Sequence, residues 1–355
     1  MENYTKGMVF DGLVIQIAAL TALIAIPVVS KKVEHNIEYF FLAVGIVAVS
    51  IVGIWSIHLL EEALLHPVMI GSIPIGITQV VLIAGLIFYY NKDKVARFAF
   101  RLNNPLMLAV IVFVLGIAAS AISAIVASAI LAELLALSQF PRNVKVKVAI
   151  ASAFAIGIGA ALLPIGEPLS TIAIVKLKGE PYNATFTFLL ENLWDLVIPL
   201  VALFSLLTYF YAKRSSKEAY IAEYETNVRD VVMRAVKIYA FIFGLTLLGE
   251  FFKPLAEPVA ALGIVVLYFF GLISAAADNA TLTAALVSPE MELGEIRAFM
   301  ISLVIAGGLL IPGNVPNIIF ASILKIGFKE WARLAIPIGM VVFLAAGAAI
   351  IGFGL

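Results

Sequence analysis

The chain of 355 residues has no cysteine, three histidines and few charges, only 13% of its residues being Asp, Glu, Lys or Arg. Without cysteine there is no disulfide, no thiolate metal site and no thiol redox chemistry. His35, His58 and His66 do not form a zinc-binding spacing, and no phosphate-binding glycine loop or nucleophile elbow is present. A catalytic constellation is therefore missing, which counts against an enzyme. Nor is there an excess of one sign: 23 basic and 23 acidic residues cancel, which removes the electrostatic case for nucleic acid or for an acidic partner. Apolar residues fill the space instead, 63% of the chain with a mean hydropathy of +1.09, against about 45–50% apolar in a soluble domain. The expected class is an all-α polytopic membrane protein of the cell membrane, surrounded by lipid.

Crossing a bilayer takes about 20 apolar residues at a rise of about 1.5 Å each. Runs of that kind are Met8 to Val29, read as a retained span, then Ile37 to Leu60, Val68 to Tyr90, Val144 to Val175, Phe186 to Tyr211, Val231 to Phe252, Ile296 to Leu324, and from Leu334 to the end. Two stretches, Pro105 to Leu137 and Pro258 to Ser288, are too long for one span, too short for two, and polar in the middle. Both read as re-entrant hairpins, a backbone form tolerated at membrane depth only when buried in protein or lining a wet cavity. Lys and Arg in the short loops place Lys31, Lys92, Arg142, Lys145, Lys213, Arg234 and Lys325 on the cytoplasmic side, with Glu61, Glu250 and Glu290 outside.

Within this apolar chain ten residues are written twice without a gap: GAALLPIGEP at 159–168 and GGLLIPGNVP at 307–316. Each copy puts helix-breaking Gly and Pro (Pro164, Gly166 and Pro168; Pro312, Gly313 and Pro316) inside a long apolar run. Interrupted hydrophobic segments in corresponding places of two halves point to a transporter's binding site. Each half would run hairpin, broken helix, basic loop, then a span entered by Trp and Pro: Trp194 and Pro199, Trp331 and Pro337. Residues 1–211 form the first half, with two additional spans, a hairpin at 105–138 and a broken helix at 144–175. A polar cytoplasmic linker spans 212–230. Residues 231–355 form the second half, with a hairpin at 258–288 and a broken helix at 296–324. The basic residues orient the halves as an inverted-topology pair.

Ionisable groups at membrane depth cost about 2.5 kcal/mol or more on insertion scales and are functional candidates by default. Glu167 lies inside the first break, followed by Ser170 and Thr171; the alternative is that it only caps the half-helix that follows. The tip of the second hairpin carries Ser274, Asp278, Asn279 and Thr281, and the second break carries Asn314 and Asn317; these too could be ordinary turn or backbone-satisfying residues. Ser123 marks the first hairpin tip. Carboxylates, hydroxyls and freed carbonyls are hard oxygen ligands, suited to a bare alkali cation or a proton, with Glu167 and Asp278 the candidate sodium ligands. Glu133 could face the cavity or the cytoplasmic surface, and Asp195 and His58 read as interfacial.

At these residues the chain resembles the ion transporter superfamily of NhaD-type sodium/proton antiporters, ArsB-type arsenite carriers and sodium/dicarboxylate symporters. Pro164-Ile-Gly166-Glu167 is similar to the NhaD-type Pro-Ile-Gly-Asp, and Ser274 to Asn279 to its Ser-x-x-x-Asp-Asn. Asp278-Asn279-Ala-Thr281 together with Pro312-Gly-Asn314-Val-Pro316-Asn317 resembles a small group of archaeal and bacterial proteins described as predicted cation transporters. The serines between Ser120 and Ser128 depart from the polar tip of the relatives. The resemblance implies a secondary carrier with substrate and ion held between hairpin tips and helix breaks, and commonly a homodimer. The favoured expectation is cation/proton antiport by alternating access, with an inorganic cation and the proton as substrates and sodium as the bound ion. It leans on the apparent lack of any buried Arg or Lys. The alternative is an anion or metalloid carrier of the same fold coupled to sodium or protons.

Overall fold

The computed structural model describes residues 2–34, 36–69, 75–91, 97, 99–214, 227–255, 263–277 and 279–353. Among them every regular element is helical. In chain order they are α1 (Glu2–Val29), α2 (Lys31–Glu34), α3 (Ile37–Val52), α4 (Ile57–Leu65), α5 (Ile77–Tyr90), α6 (Pro105–Ile122), α7 (Ala124–Leu137) and α8 (Arg142–Ala160). There follow α9 (Pro168–Lys176), α10 (Phe188–Lys213), α11 (Val228–Phe252), α12 (Gly263–Phe270), α13 (Asn279–Leu286), α14 (Leu293–Gly307), α15 (Val315–Leu324) and α16 (Phe328–Phe353). Five of these, α6, α8, α10, α11 and α16, are long and apolar enough to cross a membrane, and the protein is membrane-embedded.

Local chemistry sets the ends. Asn104 accepts from the amides of Leu106 and Met107 at 2.9 and 3.3 Å, with Pro105 at the first helical position of α6, where its missing N–H costs nothing. Asn227 and Asp230 close a reciprocal cap on α11.

Lipid tails are as apolar as leucine, so helices associate in a membrane through close backbone contact rather than through the hydrophobic effect. Glycine makes that approach here. A Cβ on Gly159 of α8 would lie 2.0 Å from the carbonyl oxygen of Gly116 in α6, and one on Gly45 of α3 would lie 2.7 Å from that of Gly244 in α11. Helices α6, α8 and α10 pack on one another, and α3, α4 and α5 gather on α11. Every residue of α8 from Val148 to Ala160 is buried, and its Phe154 stacks on Phe204 of α10 with centroids 4.5 Å apart.

Several expected boundaries change. The run Ile37 to Leu60 is not one span: Gly53 takes a left-handed conformation (φ 73°) and Ser56 restarts the chain by accepting from Leu59 N at 3.0 Å, which gives α3 and α4. Of the run from Val68, residues 70–74 lie outside the described residues, and α5 starts at Ile77, where Gln79 holds both Gly76 N (3.0 Å) and Val68 O (2.9 Å). The first arm of the expected first hairpin, α6, has 18 residues and is of spanning length by itself. Of the expected linker, 215–226 lies outside the described residues, as does 256–262, where the second hairpin was expected to start.

Gly159→Val should cost about 3 kcal/mol or more by overpacking, measured as a lower melting temperature in detergent. Gly179→Ala, whose Cβ would meet nothing within 4 Å, should leave it unchanged.

Candidate functional site

Both breaks expected from Gly and Pro are present, and they share one backbone design. Helix α8 stops at Ala160 and α9 starts at Pro168; α14 stops at Gly307 and α15 starts at Val315. The residues that open the breaks, Ala161 and Gly308, have φ/ψ of −70°/−13° and −72°/−16°. Those that close them, Glu167 and Asn314, have −153°/146° and −153°/148°. The turn bonds match as well: Gly166 N donates to Leu163 O at 3.1 Å, and Gly313 N to Leu310 O at 3.3 Å. The structural correspondence is therefore one residue out of step with the written repeat. Gly166 stands where Gly313 does, Glu167 where Asn314 does, and Ser170 where Asn317 does.

The last pair shows what the polar residues do for the backbone. Broken helices leave carbonyls without amide partners, and burying them unsatisfied costs free energy. Ser170, fully buried, donates to Ala161 O at 3.0 Å. Asn317, also fully buried, donates through Nδ2 to Gly307 O and Leu310 O, both at 2.7 Å. Two carbonyls fix which end of the amide is nitrogen, so its Oδ1 points elsewhere, buried and without a donor. Trp331 of α16, fully buried, adds a bond from Nε1 to Gly308 O at 3.2 Å. Its expected counterpart Trp194 is 54% exposed, so the two tryptophans are not equivalent.

Each break rests on a neighbouring segment. At the first, Ser123 adopts φ 77° and ψ 138°, a conformation costly for a residue with a Cβ. This turn lets Ala124 N donate to Gly166 O at 3.0 Å, while Ser123 Oγ accepts from Ile125 N. A Cβ on Gly166 would lie 2.8 Å from Ser120 Cα. At the second, a Cβ on Gly313 would lie 2.7 Å from Ser274 O, and Ser274 Oγ donates to Leu303 O at 3.1 Å.

Glu167 stands between the first break and α9. It occupies the capping position of α9 and is 7% exposed, but its side chain makes no capping hydrogen bond. Asn314, 5% exposed at the start of α15, does not cap either, and its Oδ1 is buried without a donor. It fits against α8 because Gly157 has no side chain; a Cβ there would lie 2.4 Å from Asn314 Nδ2. Asn279 is 4% exposed, with both amide atoms buried and unpartnered. It lies over Gly307, where a Cβ would lie 2.9 Å from its Nδ2. Asn279, Asn314 and Asn317 thus gather at the second break, which lies against α8: Gly157 faces Asn314 and Phe154 covers Gly308.

Thr171, exposed, also serves the first break by donating to Pro164 O at 2.5 Å. Other expected residues lie elsewhere: Thr281 faces Gly249 of α11. Asp278 lies outside the described residues. Asp195 pairs with Arg297 at 2.7 Å, and His58 pairs with Glu62 at the surface. The expectation that no Lys or Arg is buried does not hold. Lys145, 7% exposed, donates to Ala136 O at 2.7 Å, and Arg234 meets the fully buried Glu133 at 3.0 Å. Both were expected in cytoplasmic water and instead serve a helix end and a carboxylate. The room that Gly157 leaves for Asn314 has no signature in the chain itself. No group of three or more His, Asp or Glu arranged for a metal ion occurs among the described residues.

The profile of the family described as "Protein of unknown function (DUF1646)" matches residues 13–352. The chain belongs to this family. A search of the curated proteins finds no match. The family's description assigns no activity, so the breaks carry the functional argument.

Asn317→Leu removes two bonds to break carbonyls and Ser170→Ala removes one, at about 1–3 kcal/mol for each buried group left unsatisfied. The melting temperature should fall further for Asn317→Leu.

Proposed function

We propose that this family member is a secondary carrier of a small inorganic cation in the cell membrane, exchanging it for protons by alternating access. The observation that carries the reading is the set of buried oxygens at the breaks. Asn279, Asn314 and Asn317 each hold a side-chain oxygen without a donor, and Glu167 is buried without capping its helix. Buried acceptors lacking donors are unusual in native proteins, and hard oxygens of this kind suit an alkali cation such as sodium. A carboxylate at the companion break would let proton and cation compete for one charge. Asp278, adjacent in sequence to Asn279, would supply the second acid.

An inverted-topology pair, each half with a re-entrant hairpin, is the architecture that goes with this mechanism. Contacts between the two broken helices support it. Arg142, the first residue of α8, donates to Leu324 O (2.9 Å) and Lys325 O (3.0 Å) at the end of α15. Tyr182, after α9, donates to Met291 O just before α14. The start of each broken helix is thus tied to the end of the other. Partial burial, with Glu292 and Glu295 nearby, raises the Tyr182 hydroxyl above its ordinary pKa, which keeps it a donor. In the same reciprocal way, α7 packs on α15 and α13 on α9.

The basic residues near the broken helices do not favour an anion at this site. Buried Lys145 and exposed Arg142 serve helix-end carbonyls, and Arg234 and Arg297 serve carboxylates. An anion or metalloid carrier draws support only from the unpartnered Asn279 Nδ2 and the N-termini of α9 and α15.

In proteoliposomes under an imposed pH gradient, with a panel of cations and anions, the expected result is saturable, cation-dependent proton flux. Glu167→Gln and Asp278→Asn should reduce it to background. Full flux in either variant would sink the antiport mechanism, and electrogenic anion uptake surviving both would establish the alternative.

A further inference from the structure

One buried charge pair takes no part in the breaks. Glu133 of α7 is fully buried, and its Oε1 lies 3.0 Å from Nη1 of Arg234 on α11, whose side chain is 10% exposed. Arg234 Nη2 is buried without a hydrogen-bond partner and lies over α5, where a Cβ on Gly85 would come within 3.2 Å of it. Arginine binds a carboxylate most strongly with both prongs of its fork. A buried ion pair also gives little net stability, because desolvation offsets the attraction. A guanidinium with one donor idle is poorly explained as a stabilising device; it is well suited to a contact that is made in one conformation and released in another.

The helix carrying Glu133 reaches the first break. At its N-terminus Ala124 N donates to Gly166 O at 3.0 Å, next to Glu167. From Ala124 to Glu133 is nine residues, about 14 Å of helix. Along that length the side chains are buried or half-buried, and α7 packs on α15 of the second break as well as on α5, α6 and α8. A shift at either break therefore moves α7 as a unit, and the Glu133–Arg234 contact is what ties it to α11 by charge. We propose that this pair is a latch that holds α7 to α11 in this conformation and parts when the site opens to the other side. Glu133 is then a positioning residue, not a ligand of the cation. The latch takes its purpose from the carrier reading, but its movement can be read without transport.

The chain has no cysteine, so a single introduced thiol reports alone. Ser128 lies between tie and latch, fully buried, with a hydroxyl that has no partner; Ser128→Cys sacrifices no hydrogen bond. In membrane vesicles, maleimide labelling of that thiol should quicken about tenfold or more when Glu133→Gln or Arg234→Gln is added, the size of a modest coupling between sites. The exchanged pair Glu133→Arg with Arg234→Glu should restore slow labelling. Lys237→Gln, on the same helix α11 as Arg234, removes a looser 3.9 Å pair with Glu38 of α3 and should not change it. Should the single charge variants fail to accumulate, Glu133→Cys and Arg234→Cys joined by a short bifunctional thiol reagent should lose ion flux and regain it on reductive release. Unchanged labelling in the charge variants, equal quickening by Lys237→Gln, or full flux in the joined protein would overturn the latch. A parent protein that moves no ion, yet labels faster without the pair, would overturn the carrier reading and leave the latch standing.

Discussion

A backbone carbonyl inside a membrane has no water to turn to, and each one left alone costs free energy. The structure interrupts two of its most buried helices and then has to satisfy what the interruptions expose. Ser170, Asn317 and Trp331 meet carbonyls of the breaks, while Ala124, at a turn made possible by the unusual backbone of Ser123, meets Gly166 O. The surrounding small residues follow from the same need. Gly157 and Gly307 leave room for amides, and Gly159 and Gly116 bring α8 and α6 close enough to enclose the first break.

The breaks were legible in the chain because Gly and Pro act locally, through one residue's dihedral freedom and one missing donor. Their partners were not. Nothing near Trp331 in sequence marks it as the donor to Gly308 rather than as a membrane-interface residue like Trp194, because that choice depends on where α16 docks. The written repeat aligned Glu167 with Val315, whereas the backbone aligns it with Asn314; similarity of letters was carried by apolar residues, and the register was set by hydrogen bonds. The interruption at Gly53 was missed for a related reason: an apolar run of sufficient length reads as one span whether or not a left-handed glycine divides it. Arg234 and Lys145, counted as loop charges, are buried because long side chains reach carboxylates and helix ends that composition cannot place.

The two breaks have matching dihedral angles and different surroundings. In the second, residues 311–314 are all buried, and the polar side chains are neutral amides. In the first, Ile165 is 52% exposed, Thr171 faces outward, and the buried side chain is a carboxylate. Nearly the same backbone thus presents a fixed, uncharged set of oxygens on one side and a titratable group nearer the exterior on the other.

The bond from Trp331 to Gly308 joins residues 23 positions apart across the second break. Gly308 is synthesised well before the indole that satisfies it, and α15 and the start of α16 must be laid into the membrane in between. Until α16 docks, the second break holds an open carbonyl, so its final shape is reached only after helix insertion is done. The second break is consequently a product of late assembly, and a chain interrupted between Leu324 and Trp331 would contain Asn279, Asn314 and Asn317 without the indole that completes their surroundings.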